Sequence, residues 1–445
     1  MKKVKFSLDP PKILVLGFAI VILIGTILLT VPIATEDRQG LTFLNALFTA
    51  TSATCVTGLV VVDTGDTFSL FGELVVLSLI QIGGLGFMTF GTFFFMLLGK
   101  KISLKERLLL KEALNNVTTA GVLRLVKRIL IFTAVIEIIG GSILAVRFSF
   151  DMPVGQAIYY GFFHAISNFN NAGFDLMGEF RSLTTYVDDP TVVLTVCSLI
   201  TLGGLGFIVL NELFEYRQTS RLSVNTKVVL AATLILTVGA TLLIFLFEYS
   251  NDKTIGQFSF VGKGLGSLFQ AITPRTAGSN TLPIADLTHS TLFLTIIYMF
   301  IGGGSGSTAG GIKITTFAVL IATIWAQFKG KVDVVLFKRR IVVEIILKAL
   351  TVATSGALIV IIVTFLLSIT EHGQAFIVYL FEATSAFGTV GLSMGLTPEL
   401  STMGRLLIIF TMFVGRLGPL TLAFAIAKRR KQEAFHHPKG NIMIG

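Results

Sequence analysis

One short segment occurs four times in this chain and constrains every reading of it. It runs Ala-x-Ser/Thr, a few mixed residues and then a glycine: Ala50-Thr51-Ser52 to Gly58, Ala165-Ile166-Ser167 to Gly173, Ala271-Ile272-Thr273 to Gly278, and Ala383-Thr384-Ser385 to Gly391. A phenylalanine stands just upstream each time (Phe48, Phe163, Phe269, Phe381), and the third copy is one residue shorter than the others. The glycines recur roughly every 110 residues, so the chain reads as four like units, each organised about one turn.

These units have to fold in lipid. Of 445 residues 53% are hydrophobic and 13% charged, against about 25% charged in soluble domains. A net charge of +10 would suggest nucleic acid in a soluble protein. Here it collects in loops on one side of a membrane, and no nucleic-acid partner is expected. Cys55 and Cys197 lie in different units, in apolar or turn contexts, which argues against a disulfide or metal framework. The histidines are scattered without metal-ligand spacing. The basic N-terminus leads into an apolar segment without a small-residue cleavage site, which reads as a first span rather than a removable signal.

A crossing needs about 20 apolar residues. By that measure each unit holds a span, a half-length apolar piece, the glycine turn and a second span. The segments are 13–34, 41–54 and 70–98; 122–148, 157–167 and 192–214; 228–247, 265–273 and 292–328; then 341–369, 375–385 and 406–427. The predicted fold is an all-α membrane protein with eight crossings and four half-depth insertions. Its units are 1–115, 116–222, 223–336 and 337–432, with a short cytoplasmic tail at 433–445. Lysine and arginine cluster at 2–5, 100–128, 217–227, 329–340 and 428–431, while Asp63, Asp66, Asp175, Glu179, Asp188, Asp189, Asp286 and Glu399 mark the opposite loops. The positive-inside rule then makes both termini cytoplasmic, in a multi-pass protein of the cytoplasmic membrane surrounded by lipid, with all four turns entering from outside. Two crossings per unit keep all units parallel. A pseudo-fourfold axis along the membrane normal follows, and an inverted repeat does not.

Non-helical backbone at membrane depth is tolerated where it is buried in protein or lines water. Glycine adopts positive φ at little cost and leaves the pathway clear of side chains. Main-chain oxygens of four such turns could replace the hydration shell of a monovalent cation. The candidate carbonyls belong to Val56, Thr57 and Gly58; Asn171, Ala172 and Gly173; Thr276, Ala277 and Gly278; and Thr389, Val390 and Gly391. The fourth set nearly spells the Thr-Val-Gly of potassium-channel filters, and the others are looser.

Four span–turn–span units with these glycines resemble the Trk/Ktr/HKT superfamily of potassium transporters, most closely its bacterial Ktr branch, over almost the whole chain. By that resemblance Gly58, Gly173, Gly278 and Gly391 match the filter glycines. Some plant relatives that favour sodium carry serine in the first copy, so Gly58 points to potassium. The resemblance implies K+ as the transported ion, bound at the filter carbonyls, with sodium influencing uptake. It also implies pairing as homodimers and a separate cytosolic regulatory ring that binds nucleotides. No cofactor is then expected on this chain, and a nucleotide only on the partner.

The second spans carry a small-residue motif: Gly83-Gly84-Leu85-Gly86-Phe87, Gly203-Gly204-Leu205-Gly206-Phe207, Gly302-Gly303-Gly304-Ser305-Gly306, and Gly415-Arg416-Leu417-Gly418-Pro419. In the first two units close helix packing explains it. The third differs, because one helix over 292–328 would run to about 55 Å. Six glycines stand within 302–311, beside Ser305, Ser307, Thr308 and Ala309, so the helix should break there. A nucleotide loop is a poor alternative, since Gly-x-x-x-x-Gly-Lys-Ser/Thr is not matched. In the resembled family the matching segment is an intramembrane gate beneath the filter. The candidate gate is therefore Gly302, Gly303, Gly304, Ser305, Gly306, Ser307, Thr308, Ala309, Gly310, Gly311 and Lys313, with Arg416. An arginine within a span costs at least ~2.5 kcal/mol and calls for a partner or a wet cavity; Arg416 is expected to bond the 302–311 loop and oppose cations. Glu137 lies deep in a span without an assigned role, while His164 and Glu382 are expected to order their turns. An ion-coupled transporter working by alternating access is the competing function. An enzyme is not expected, because the intramembrane ionisable residues form no nucleophile–base or paired-carboxylate set.

Overall fold

A computed structural model describes residues 10–86, 89 and 122–426. The inner end of the 70–98 segment, the basic residues at 2–5, 100–111 and 428–431, and the 433–445 tail lie outside the described residues. In the first unit, α1 (Pro10–Thr30) leads to the short α2 (Phe43–Cys55), and α3 (Leu70–Leu85) follows the turn. The second unit has α4 (Val122–Phe148), α5 (Val154–Phe169), α6 (Pro190–Leu205) and α7 (Phe207–Thr219). The third has α8 (Val224–Glu248), α9 (Phe260–Ile272), α10 (His289–Phe300) and α11 (Ile314–Phe328). A two-stranded hairpin, Val335–Leu336 with Arg339–Arg340, leads to α12 (Val343–Thr370), α13 (Phe376–Gly388), α14 (Thr402–Leu417) and α15 (Pro419–Ile426).

Among the described residues the protein is mostly helical. Four helices, the first of each unit, are long and apolar enough to cross a bilayer; counting each bent pair as one span gives six. Those first helices leave rows of large apolar side chains exposed, such as Leu16, Ile20 and Ile27 on α1 or Leu358, Ile361 and Phe365 on α12. In water such a face would call for a partner; in lipid it is the ordinary surface.

The second spans depart from expectation. Segments 192–214 and 406–427 are not straight: α6 and α7 meet at 96°, and α14 and α15 at 95°. The break falls on the glycine at the motif's fourth position, Gly206 at φ +97° and Gly418 at φ +83°, a conformation that other residues rarely adopt. In the fourth unit Pro419 follows and cannot continue the preceding helix's hydrogen bonding. α10 and α11 are separated by the irregular stretch between Phe300 and Ile314, where the glycine content predicts a break.

Each second span opens on a side-chain cap. Ser69, Asp189, Thr288 and Ser401 accept bonds from Gly72, Val192, Thr291 and Gly404 amides respectively, satisfying donors left over at the helix start. In the later units the cap is latched to the end of the first span. Glu248 accepts from the Thr288 hydroxyl at 2.7 Å, Glu371 from that of Ser401 at 2.6 Å, and Arg147 pairs with Asp189.

Candidate ion pathway

The short helices α2, α5, α9 and α13 all run into the glycine turns, and the turns share one internal geometry. Phe48, Phe163, Phe269 and Phe381 are fully buried and anchor the helices. The residue before each glycine donates its amide to the Ser/Thr carbonyl of the motif: Thr57 to Ser52, Ala172 to Ser167, Ala277 to Thr273 and Val390 to Ser385, at 2.8 to 3.0 Å. The motif hydroxyl then reaches the far side of the turn. Ser52 and Ser385 accept from the amides of Gly58 and Gly391 at 3.1 and 3.2 Å, while Ser167 donates to the Phe174 carbonyl at 2.6 Å and Thr273 to that of Ser279. This bonding explains why a hydroxyl is required at that spacing. Val56, Asn171, Thr276 and Thr389 all have positive φ, as do the four glycines.

The turns close on one another in chain order. A methyl group at Gly173 would lie 2.8 Å from the Ala277 oxygen, and one at Gly278 2.5 Å from that of Val390. At Gly58 and Gly391 it would overlap the oxygens of Ala172 and Thr57. First unit touches second, second third, third fourth, and fourth first. Outside this ring is a cavity of about 580 Å³, bordered by all four glycines and by Asp63, Asp175, Glu179 and Glu399 against the single Arg181. Burial, aided by Asp63, pushes the Asp175 carboxyl up to about 7.

On the other side of the ring lies the 302–313 stretch. Gly302 donates to the Ile312 carbonyl at 2.8 Å, and Ile314 to that of Gly303 at 2.9 Å, folding the stretch into a loop. Gly304 bonds the Gly204 carbonyl at 2.7 Å, Phe207 bonds that of Gly306 at 3.0 Å, and the Thr308 hydroxyl reaches Phe169 at the end of α5. The Thr389 hydroxyl fills the space a side chain at Gly310 would need. Lys313 donates to the Ala309 carbonyl at 2.6 Å. Arg416, in the last turn of α14, donates to the Thr308 carbonyl of this loop and to the carbonyls of Gly83 and Gly84 in the first unit. The small-residue motif also has a local cause. Methyl groups at Gly83, Gly203 and Gly415 would overlap the carbonyls of Thr54, Phe169 and Phe387, at the inner ends of α2, α5 and α13.

Two carboxylates flagged by sequence back these turns. Glu382 accepts from Ser393 at 2.9 Å and from Thr397, tying α13 to the stretch beyond its turn. Glu137 of α4 accepts from Gln81 of α3 at 3.2 Å and from Asn170 at 3.1 Å, while Asn170 also donates to Gln81 at 2.6 Å. Asn170 directly precedes the Asn171-Ala172-Gly173 turn. Leaving buried partners unpaired costs about 1–3 kcal/mol. Glu137→Ala is therefore expected to lower discrimination between rubidium and sodium roughly fivefold in competition uptake, while Glu137→Gln keeps most of it. Unchanged discrimination in Glu137→Ala would remove Glu137 from any role at the turn. The latching residues Glu248 and Glu371 carry no distinguishing signal in the sequence, because a polar residue at the end of a span reads as an ordinary boundary.

Comparison with known proteins agrees with this architecture. Residues 9–437 match the TrkH family, described as cation transport proteins. The chain is 47% identical, over all of its length and 98% of the relative's, to the Ktr system potassium uptake protein B of Bacillus subtilis. It is 40% identical to the potassium/sodium uptake protein NtpJ of Enterococcus hirae, covering all of this chain and 99% of that one. The crystal structure of the potassium transporter TrkH from Vibrio parahaemolyticus superposes with a TM-score of 0.72 at 19% identity, over 95% of this chain and 86% of that one, which shows a shared fold. This chain belongs to the TrkH family of cation transport proteins.

Proposed function

We propose that the protein takes up potassium across the cytoplasmic membrane through a filter of main-chain oxygens at Val56–Gly58, Asn171–Gly173, Thr276–Gly278 and Thr389–Gly391. Four parallel units, eight crossings in all, surround it. The observation that carries this reading is the closed ring of glycine contacts, each unit against the next. It leaves no room for side chains where an ion would shed water, and the acidic cavity outside it concentrates cations. K+ binds there as cargo. The loop at 302–311, with Lys313 and Arg416, is the gate. Alternating access would need units to rock against one another, and ring contacts on four sides oppose that motion. Two names among the relatives, a Ktr system potassium uptake protein B and a potassium/sodium uptake protein, favour potassium as substrate and bring sodium into the reading. A name that speaks of a system also favours a further component acting with this chain; the family resemblance makes that component a cytosolic nucleotide-binding ring and pairs the membrane subunits.

The test is growth rescue of a potassium-uptake-deficient cell by this chain, with and without its cytosolic partner, followed by rubidium and sodium uptake. Rescue at low potassium, with rubidium carried well ahead of sodium, is expected. Strict dependence of flux on a co-ion gradient would replace the pore with the coupled transporter.

A further inference from the structure

Away from the pathway, α8 and α11 enclose a groove of about 590 Å³, within the range of small-molecule pockets. Its walls are apolar, including Ile235 and Leu236 of α8 and Phe317, Ile321 and Trp325 of α11. Its rim is not: Lys329, Lys331 and Asp333 stand at one end. Asp333 is already paired with Arg340 at 2.9 Å, so the two lysines face the groove with little to offset them. The Lys329 ammonium sits 4.6 Å from the centre of the Trp325 ring, an aromatic–cation pairing suited to the headgroup level of a membrane.

We infer that this groove binds one anionic phospholipid of the inner leaflet, its acyl chain between α8 and α11 and its phosphate on Lys329 and Lys331. Charge complementarity selects the occupant: a second apolar protein surface would leave two ammonium groups unpaired at the rim, whereas a phosphate satisfies both. The inference rests on the membrane orientation proposed above, which puts the 329–340 end on the cytoplasmic side. It has a consequence for transport. α11 begins directly after the loop, where the Ile314 amide bonds Gly303, so a lipid wedged beside α11 restrains the helix that carries the loop.

The chain has a single tryptophan, and it lines the groove, so occupancy can be read directly. The purified protein in vesicles of phosphatidylethanolamine is titrated with brominated phosphatidylglycerol or brominated phosphatidylcholine while Trp325 emission is followed. Two lysines should make phosphatidylglycerol quench at roughly thirtyfold lower mole fraction, and Lys329→Gln with Lys331→Gln should bring the two lipids within about twofold. Potassium flux should depend on phosphatidylglycerol in the parent protein and lose that dependence in the double variant. Equal quenching by both lipids in the parent protein overturns the site and leaves the membrane orientation standing. Quenching by neither overturns the site as well, and a disulfide between two copies carrying Ala322→Cys then shows that protein covers the groove; its absence places the groove outside the bilayer.

Discussion

Gly278→Ala is expected to abolish selective potassium uptake while the chain still reaches the membrane. The backbone at Gly278 has φ +83°, where an L-residue costs roughly 1–2 kcal/mol. The added methyl would lie 2.5 Å from the Val390 oxygen and 3.1 and 3.2 Å from the α-carbons of Gly173 and Gly391. None of these neighbours is a flexible side-chain end, so the ring must open. An ion that loses about 3 kcal/mol of carbonyl coordination binds roughly a hundredfold more weakly, and rubidium uptake should fall by at least that factor. Gly264→Ala is the control. It lies in the helix leading to the same turn, and a methyl there meets nothing within 4 Å; a gain in helix propensity of up to about 1 kcal/mol is the only effect foreseen. Membrane levels of both variants, measured by blotting, separate loss of function from loss of protein. Full uptake with intact selectivity in Gly278→Ala, at normal abundance, would sink the proposed filter.

What the sequence makes legible is what local chemistry alone can specify. Repeated glycines need repeated positive φ, and the four turns have it. Glycines packed into 302–311 forbid a helix, and an arginine inside a span demands acceptors, which Arg416 finds on Thr308, Gly83 and Gly84. The bends at Gly206 and Gly418 were not legible. The residues just after each bend, 207–210 and 420–426, are mostly apolar, so hydropathy runs on through a turn of about a right angle. Nor was the surrounding of Glu137, whose partners Gln81 and Asn170 come from distant points of the chain. The motif hydroxyl is an intermediate case. Its recurrence marks Ser52, Ser167, Thr273 and Ser385 as equivalent, yet two of them accept from an amide and two donate to a carbonyl. Spacing fixes position; which backbone group faces the hydroxyl depends on a turn that differs slightly in each unit.

Arg416→Ala is expected to raise potassium flux severalfold and to weaken regulation by the proposed cytosolic partner. Arginine presents five donors in a rigid fork, and this one spreads them over carbonyls of two other units, Thr308 in the third and Gly83 and Gly84 in the first. It stands in the last turn of α14, where the helix's own dipole favours a cation. Its charge is therefore held firmly, close to the loop that borders Thr389 at the base of the proposed filter. In the proposed pathway a fixed cation there would oppose a passing cation, and its bonds also tie the loop to the first unit. Removing it loosens the tie and lowers the barrier together; a barrier lower by about 1.4 kcal/mol is a tenfold gain in rate. Arg416→Lys keeps the charge but, as a flexible point donor, cannot hold two units in the same geometry. The lysine variant should thus retain much of the barrier while losing part of the regulation, a split that simple loss of packing would not produce. Shortening the loop by deleting residues 305–308 should raise flux by the second route alone, with Arg416 still present. Flux in proteoliposomes at matched protein density distinguishes these outcomes. If neither the alanine variant nor the deletion changes flux or regulation, or if both reduce flux, the loop and Arg416 do not gate this pathway.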